Sequence, residues 1–280
     1  MKFMESEYVG YDGTRMFMAT WLPDDEKVRA LLIAIHGLGS HGSDLRNIGE
    51  YFAERGLGVF APDMRGFGHY SGLKGHVMDF DEYIEDMHNI VMQVKDRYIN
   101  KLTFLFGSSL GGQHVIRYVA KYPSETDGIM LSCPAVSETL DIGIGTRIGG
   151  QILSFLNLKR YFENEVDFEA CCHDPEVIAE HENDPLRFDK VTPRFGIEGL
   201  KAAKEAFKLA PFIDRPALVQ QAGDDKLVDP DKTREFFENL GSENKTWRFY
   251  EGLYHELHSE PQKDIVLGDM EKWLEERLPA

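Results

Sequence analysis

Along the chain, short unbroken apolar runs alternate with longer segments whose apolar residues recur at helical spacing. The run Ala30–Ile35 contains no polar residue, the pattern of a strand buried on both faces. Gly58–Pro62, Thr103–Phe106, Gly128–Ser132 and Ala217–Gln220 read the same way, and Thr246–Tyr250 is a further strand. Helices are predicted near residues 45–55, 80–98, 110–121, 230–240 and 262–277. Such alternation predicts the α/β class, with a mostly parallel central sheet flanked by helices. Two earlier segments, near 6–10 and 15–22 and hinged at Tyr11–Gly13, predict an antiparallel hairpin at the sheet edge.

The rhythm breaks after Pro134. Residues 136–209 hold no convincing strand and several helical stretches before Pro211 and Pro216 restore it. An insertion of that length is too long for a structureless loop. It predicts a helical cap inserted after the strand ending near Cys133, so that residues 1–135 and 210–280 form the core and 136–209 the cap. Within it, Ile142–Leu156 is apolar on more than one side. That fits a helix packed into the cap interior, and equally a greasy rim around a site for an acyl chain.

Composition narrows the setting. A net charge of −17 repels phosphate backbones and anionic membrane surfaces. Nucleic acid is therefore excluded as a partner, and membrane or micelle contact is limited to a transient touch through the cap. No run approaches the roughly 18 apolar residues needed to span a bilayer, and Met1–Glu7 has no signal-peptide core. The three cysteines, Cys133, Cys171 and Cys172, are odd in number and two are adjacent, so no disulfide framework is implied. Cys171-Cys172-His173 lacks the spacing and second ligand pair of a zinc site. A cytoplasmic protein without metal or organic cofactor is expected. Nothing in the pattern specifies an oligomeric state.

The chemistry centres on Gly107-Ser-Ser-Leu-Gly111, which lies between a predicted strand and a predicted helix. The Gly-x-Ser-x-Gly frame fits only with Ser109 in the middle, and this context is that of a nucleophile elbow. A strand that turns sharply into a helix crowds the nucleophile's backbone, so its neighbours two residues away must lack side chains. A serine hydroxyl needs a base, and the base needs an orienting acid. In this architecture they follow the serine in the order acid, histidine, each after a later strand. Asp225 meets the requirement but competes with Asp224, Asp229 and Asp231, one of which must cap the next helix. His255 competes with His258, and the turn after Gly252 favours His255. His88 and His114 fall in helical stretches and read as packing or surface residues. The turn His36-Gly-Leu-Gly39 follows the first long strand and supplies the Leu38 amide as an oxyanion donor, with the Leu110 amide as its companion.

The motifs His36–His41, Asp63–Ser71, Gly107–Gly112, Asn183–Leu186, Asp224–Pro230 and Tyr250–Glu260 together resemble the α/β-hydrolase superfamily, within it the monoacylglycerol lipase and lysophospholipase group. The resemblance implies Ser109 as nucleophile, Asp225 as orienting acid and His255 as base. It implies a serine esterase acting on single-chain lipid esters, with the cap contacting the substrate. Lysophospholipase, general carboxylesterase and aminopeptidase activities are the alternatives, and a non-catalytic ligand-binding homologue the most distant. For a peptidase, Glu163, Glu165 and Glu169 are the available cap carboxylates. Arg65 is expected in an ion pair. The group carries histidine and methionine where this chain has Ser108 and Leu110.

Overall fold

Eight strands form one sheet: β1 (Lys2–Val9), β2 (Arg15–Leu22), β3 (Ala30–Ile35), β4 (Leu57–Pro62), β5 (Thr103–Ser108), β6 (Gly128–Ser132), β7 (Ala217–Ala222) and β8 (Lys245–Tyr250). The computed structural model describes residues 1–24, 27–137, 153–154, 156–161 and 168–279. The spatial order is β1-β2-β4-β3-β5-β6-β7-β8. Only β2 runs against its neighbours; every other pairing is parallel. The β1–β2 hairpin closes at the predicted hinge, where Gly13 adopts φ 84° and Gly10 binds Thr14 through its amide. β1 is largely exposed, as an edge strand must be, whereas every residue of β3 through β7 is buried.

Seven helices are described: α1 (Arg46–Glu54), α2 (Asp81–Arg97), α3 (Leu110–Lys121), α4 (Pro175–Asn183), α5 (Pro193–Leu209), α6 (Pro230–Asn239) and α7 (Lys263–Glu275). Side chains alternate across a strand, so β3 sends Leu31, Ile33 and Ile35 to one face and Leu32 and Ala34 to the other. The first set packs under α2, α3, α5 and α6, and the second under α1 and α7. Helix α1 can approach the sheet because Gly49 carries no side chain: a Cβ there would lie 2.2 Å from the Trp21 ring.

Between β6 and β7 the longest described elements are the helices α4 and α5, and each opens with a side-chain cap from Asp174 or Thr192 followed by proline. The predicted apolar helix Ile142–Leu156 lies for the most part outside the described residues. None of the described helices is long and apolar enough to cross a membrane. The consequence for chemistry is positional. The carboxyl ends of the parallel strands β3, β5, β7 and β8 open on one rim, where the connecting loops meet.

Candidate active site

Ser109 stands at that rim with φ 55° and ψ −118°, a conformation side chains rarely adopt. Three backbone hydrogen bonds hold it there. Its N–H donates to the Ser132 carbonyl at 2.9 Å, and its own carbonyl accepts the amides of Ala135 at 3.0 Å and Gln113 at 3.2 Å. The bracketing glycines are a steric requirement. A Cβ at Gly111 would stand 2.2 Å from the Ile35 oxygen, and one at Gly107 would stand 2.5 Å from the Gly111 oxygen. Ser108, the neighbour in question, ends β5 buried and in register with Ser132.

His255 and Asp225 meet as an acid–base pair. The imidazole Nδ1 lies 3.0 and 2.9 Å from the two carboxylate oxygens, and both side chains are almost fully buried. A carboxylate can only accept, so Nδ1 carries the proton and Nε2 is left as the free base. That Nε2 is buried without a hydrogen-bond partner among the described residues. Asp225 also accepts the Leu227 and Val228 amides at 2.9 Å each, and the Gln221 side-chain amide at 3.1 Å. Burial works to raise its pKa, but the His255 hydrogen bond and charge, with the two amides, hold it below its ordinary value. The competitors fall away: Asp229 caps α6, and Asp224 is exposed, engaging Leu253 only through its backbone. His258 instead meets the Phe106 ring edge-on.

The turn His36–Gly39 lies against the nucleophile. A Cβ on Gly37 would be 3.3 Å from the Ser109 Cβ and 3.9 Å from its Oγ. His36 anchors this turn, its Nδ1–H donating to the Gly37 carbonyl at 2.7 Å and its Nε2 accepting the Met64 amide at 2.9 Å. Burial lowers its pKa to about 4, so it stays neutral in that double role. Leu110 begins α3, where no preceding turn offers a carbonyl to its amide. Arg65 pairs with Asp86 and Asp12, as the sequence implied, and the Asp63 carboxylate gathers the amides of Gly42 and His69.

Ser109, His255, Leu38 and Leu110 all line one cavity of about 420 Å³, within the usual size range of small-molecule sites. One wall is apolar, from Phe195, Leu200 and Ala203 of α5 with Val228. A polar patch comes from Ser40, Asp44, Arg187, Glu256 and His258. The Arg187 side chain is 8% exposed; its guanidinium reaches Asp44 at 3.0 Å and Glu256 at 3.7 Å, and its Nε–H has no partner among the described residues. Behind it His41 meets Asp44 at 3.2 Å and Asp184 at 2.9 Å. Burial alone would lower the His41 pKa, but the two carboxylates carry it up to about 9. The donor atoms of His41, Asp44 and Asp184 are spaced as metal ligands could be, yet the imidazolium already supplies their positive charge.

Sequence reasoning missed Gln221, Arg187 and the His41 cluster. Gln221 sits at the end of a strand that reads as uniformly buried, and an amide inside such a run was the available signal. Of the proposed peptidase carboxylates, Glu163 and Glu165 lie outside the described residues.

Residues 26–262 match the model of the family Hydrolase_4, described as serine aminopeptidase, S33. A monoacylglycerol lipase of Mycolicibacterium smegmatis is 29% identical over 275 residues, spanning 98% of both chains. Phospholipase YtpA of Bacillus subtilis is 30% identical over 251 residues, 89% of this chain and 95% of its own. The crystal structure of a monoacylglycerol lipase from Paleococcus ferrophilus matches with a TM-score of 0.82 at 25% identity, covering 98% of each chain. A family match extending over the strand ends that carry Ser109, Asp225 and His255 makes this chain a member of the serine aminopeptidase S33 family of α/β-hydrolases.

Proposed function

We propose that the protein cleaves monoacylglycerols into fatty acid and glycerol, with Ser109, His255 and Asp225 as its triad. The chain is a carboxylic ester hydrolase; the proposal names the ester and the residues. One observation carries it: the cavity that reaches both Ser109 and His255 has an apolar wall and a charge-compensated polar patch, matching an acyl chain and a small uncharged head. Residues 136–209, which supply most of the apolar wall, act as the cap over a core of 1–135 and 210–280. Three free, buried cysteines accord with a cytoplasmic setting.

In the reaction, His255 Nε2 takes the proton of Ser109 as its oxygen attacks the ester carbonyl. The amides of Leu38 and Leu110 receive the negative charge that develops on the carbonyl oxygen. Asp225 holds the imidazole tautomer and stabilises the imidazolium. The glycerol oxygen leaves with the proton from His255, the acyl group remains on Ser109, and water activated by the same nitrogen releases the fatty acid. Each step uses groups of this chain alone.

The family description favours a second reading, release of an amino-terminal residue. The acids available to hold a substrate ammonium in the cavity are Asp44 and Glu256, and Arg187 already engages both. That compensation favours an uncharged head. Initial rates on monoacylglycerols from C8 to C18, beside lysophosphatidylcholine, simple esters and an aminoacyl amide, discriminate the readings. Monoacylglycerols should be the best substrates, a fluorophosphonate should label Ser109 stoichiometrically, and Ser109→Ala should abolish labelling and turnover. Preference for the aminoacyl amide, or turnover by Ser109→Ala, refutes the assignment.

A further inference from the structure

Glu260 has no role in the chemistry above, yet its side chain is entirely buried. A carboxylate withdrawn from water must be compensated by partners in place. Among the described residues it has no lysine or arginine partner; the imidazole of His173 faces it instead. It accepts the Tyr254 amide at 2.5 Å, the His173 amide at 3.2 Å, and the His173 Nδ1–H at 3.0 and 3.1 Å on its two oxygens. Tyr254 immediately precedes His255. On the other side, the Glu256 amide donates to the Cys171 carbonyl at 2.7 Å. The Glu256 amide is thus fixed directly, and the Tyr254 amide through Glu260, by a short strap, Cys171–His173, that belongs to the segment between β6 and β7. The His173 imidazole also stacks on the Tyr254 ring, with centroids 3.7 Å apart and planes tilted by 30°.

We infer that Glu260 is a positioning residue for His255, and that through it the 171–173 strap sets where the catalytic base stands. The loop carrying His255 joins β8 to α7 without regular ladder bonds of its own. Its backbone donors must find partners elsewhere, and the two that bracket the base find them on Glu260 and the strap. Neither Glu260 nor His173 lines the cavity, so their influence passes through the placement of His255 rather than through contact with substrate. The segment that walls the acyl cavity and the base that starts the reaction are thereby joined in one hydrogen-bonded unit.

The inference rests on His255 being the base, and the test separates the two ideas. Glu260→Gln, His173→Ala, their double variant and His255→Ala are compared by kcat and KM on a monoacylglycerol. The rate of fluorophosphonate labelling is measured in parallel and scaled to the fraction of enzyme finally labelled, so that unfolded protein does not count. Each single variant should lower kcat and the labelling rate on the order of tenfold or more, with KM within about twofold. The double variant should be no slower than Glu260→Gln alone, since both changes cut one device. His173 is exposed, so His173→Ala tests the strap even if Glu260→Gln does not fold. Wild-type rates in both single variants, losses that multiply in the double, or an effect confined to KM overturn the inference. Wild-type labelling in His255→Ala would instead overturn the triad assignment beneath it.

Discussion

Replacing Asp225 by asparagine isolates the acid's contribution almost without changing shape. The asparagine oxygen can take the place of Oδ1 and keep the Leu227 and Val228 amides, both at 2.9 Å. Its NH2 then occupies the Oδ2 position, facing the Gln221 Nε2 donor at 3.1 Å and His255 Nδ1 at 2.9 Å. Donor would oppose donor at both contacts, and the one acceptor left near Nδ1, Oδ1 at 3.0 Å, is already shared by the two backbone amides. The imidazole escapes by carrying its proton on Nε2 and accepting at Nδ1, and a protonated Nε2 cannot act as a base toward Ser109. The tautomer penalty in serine triads is about 10⁴-fold in kcat, equivalent to about 5 kcal/mol. The unmatched Gln221 donor adds a stability cost of about 1–3 kcal/mol. The p-nitrophenyl butyrate burst reads acylation directly: the burst should vanish in Asp225→Asn, and the steady rate should fall by the factor above. Asp224→Asn is the control and should stay within about twofold of wild type, because Asp224 contributes only backbone to this site. A rate within tenfold of wild type for Asp225→Asn, or the large loss appearing in Asp224→Asn, refutes the reasoning.

His114 is wholly buried with neither ring nitrogen paired among the described residues, and burial drives its pKa well down, so it is neutral and stacked on Tyr83 at 4.4 Å. His114→Phe keeps the stacking and removes two unmatched polar atoms, so urea unfolding should show a gain of about 1 kcal/mol; a loss of that size would mean that the ring has a polar partner in solution. The His41 cluster predicts a pH dependence. The folded pKa of about 9 lies above the unfolded value, so the stability it contributes is complete below about pH 6.5 and disappears as pH rises through 9. Asp184→Asn should therefore cost about 1 kcal/mol at pH 6 and progressively less toward pH 9.5; a cost that stays constant across that range contradicts the assignment.

The fold was legible because strands buried on both faces leave an unmistakable trace: Ala30–Ile35 has no polar position at all, and it is the middle of the sheet. The elbow was legible for a different reason. Only glycine satisfies the close approaches around Ser109, so the constraint is written in residue type. The choice among aspartates was partly legible as well. The run was bound to supply a cap for the next helix, and the structure gives that task to Asp229, ahead of Pro230 in the first turn. Separating Asp225 from Asp224 required knowing which carboxylate turns back onto the amides two and three residues ahead, a matter of backbone geometry.

Buried charge was the illegible part, and the reason is physical. In a chain with 48 acidic residues, Asp44, Glu256 and Glu260 look like more solvated surface. What sets them apart is compensation from far along the chain: Arg187 for Asp44 and Glu256, and the amide and imidazole of His173 for Glu260. No local pattern encodes such pairings, since each depends on the segment between β6 and β7 folding back over the strand ends. Those same pairings concentrate where that segment meets the loops bearing the oxyanion turn and the catalytic histidine. Burying ionised groups is costly, and replacing them with apolar residues is often neutral or stabilising. The Arg65–Asp86 pair is buried beneath α2, whereas these charges stand at the junction, as they would if their task is to register two parts of the chain on one reaction centre.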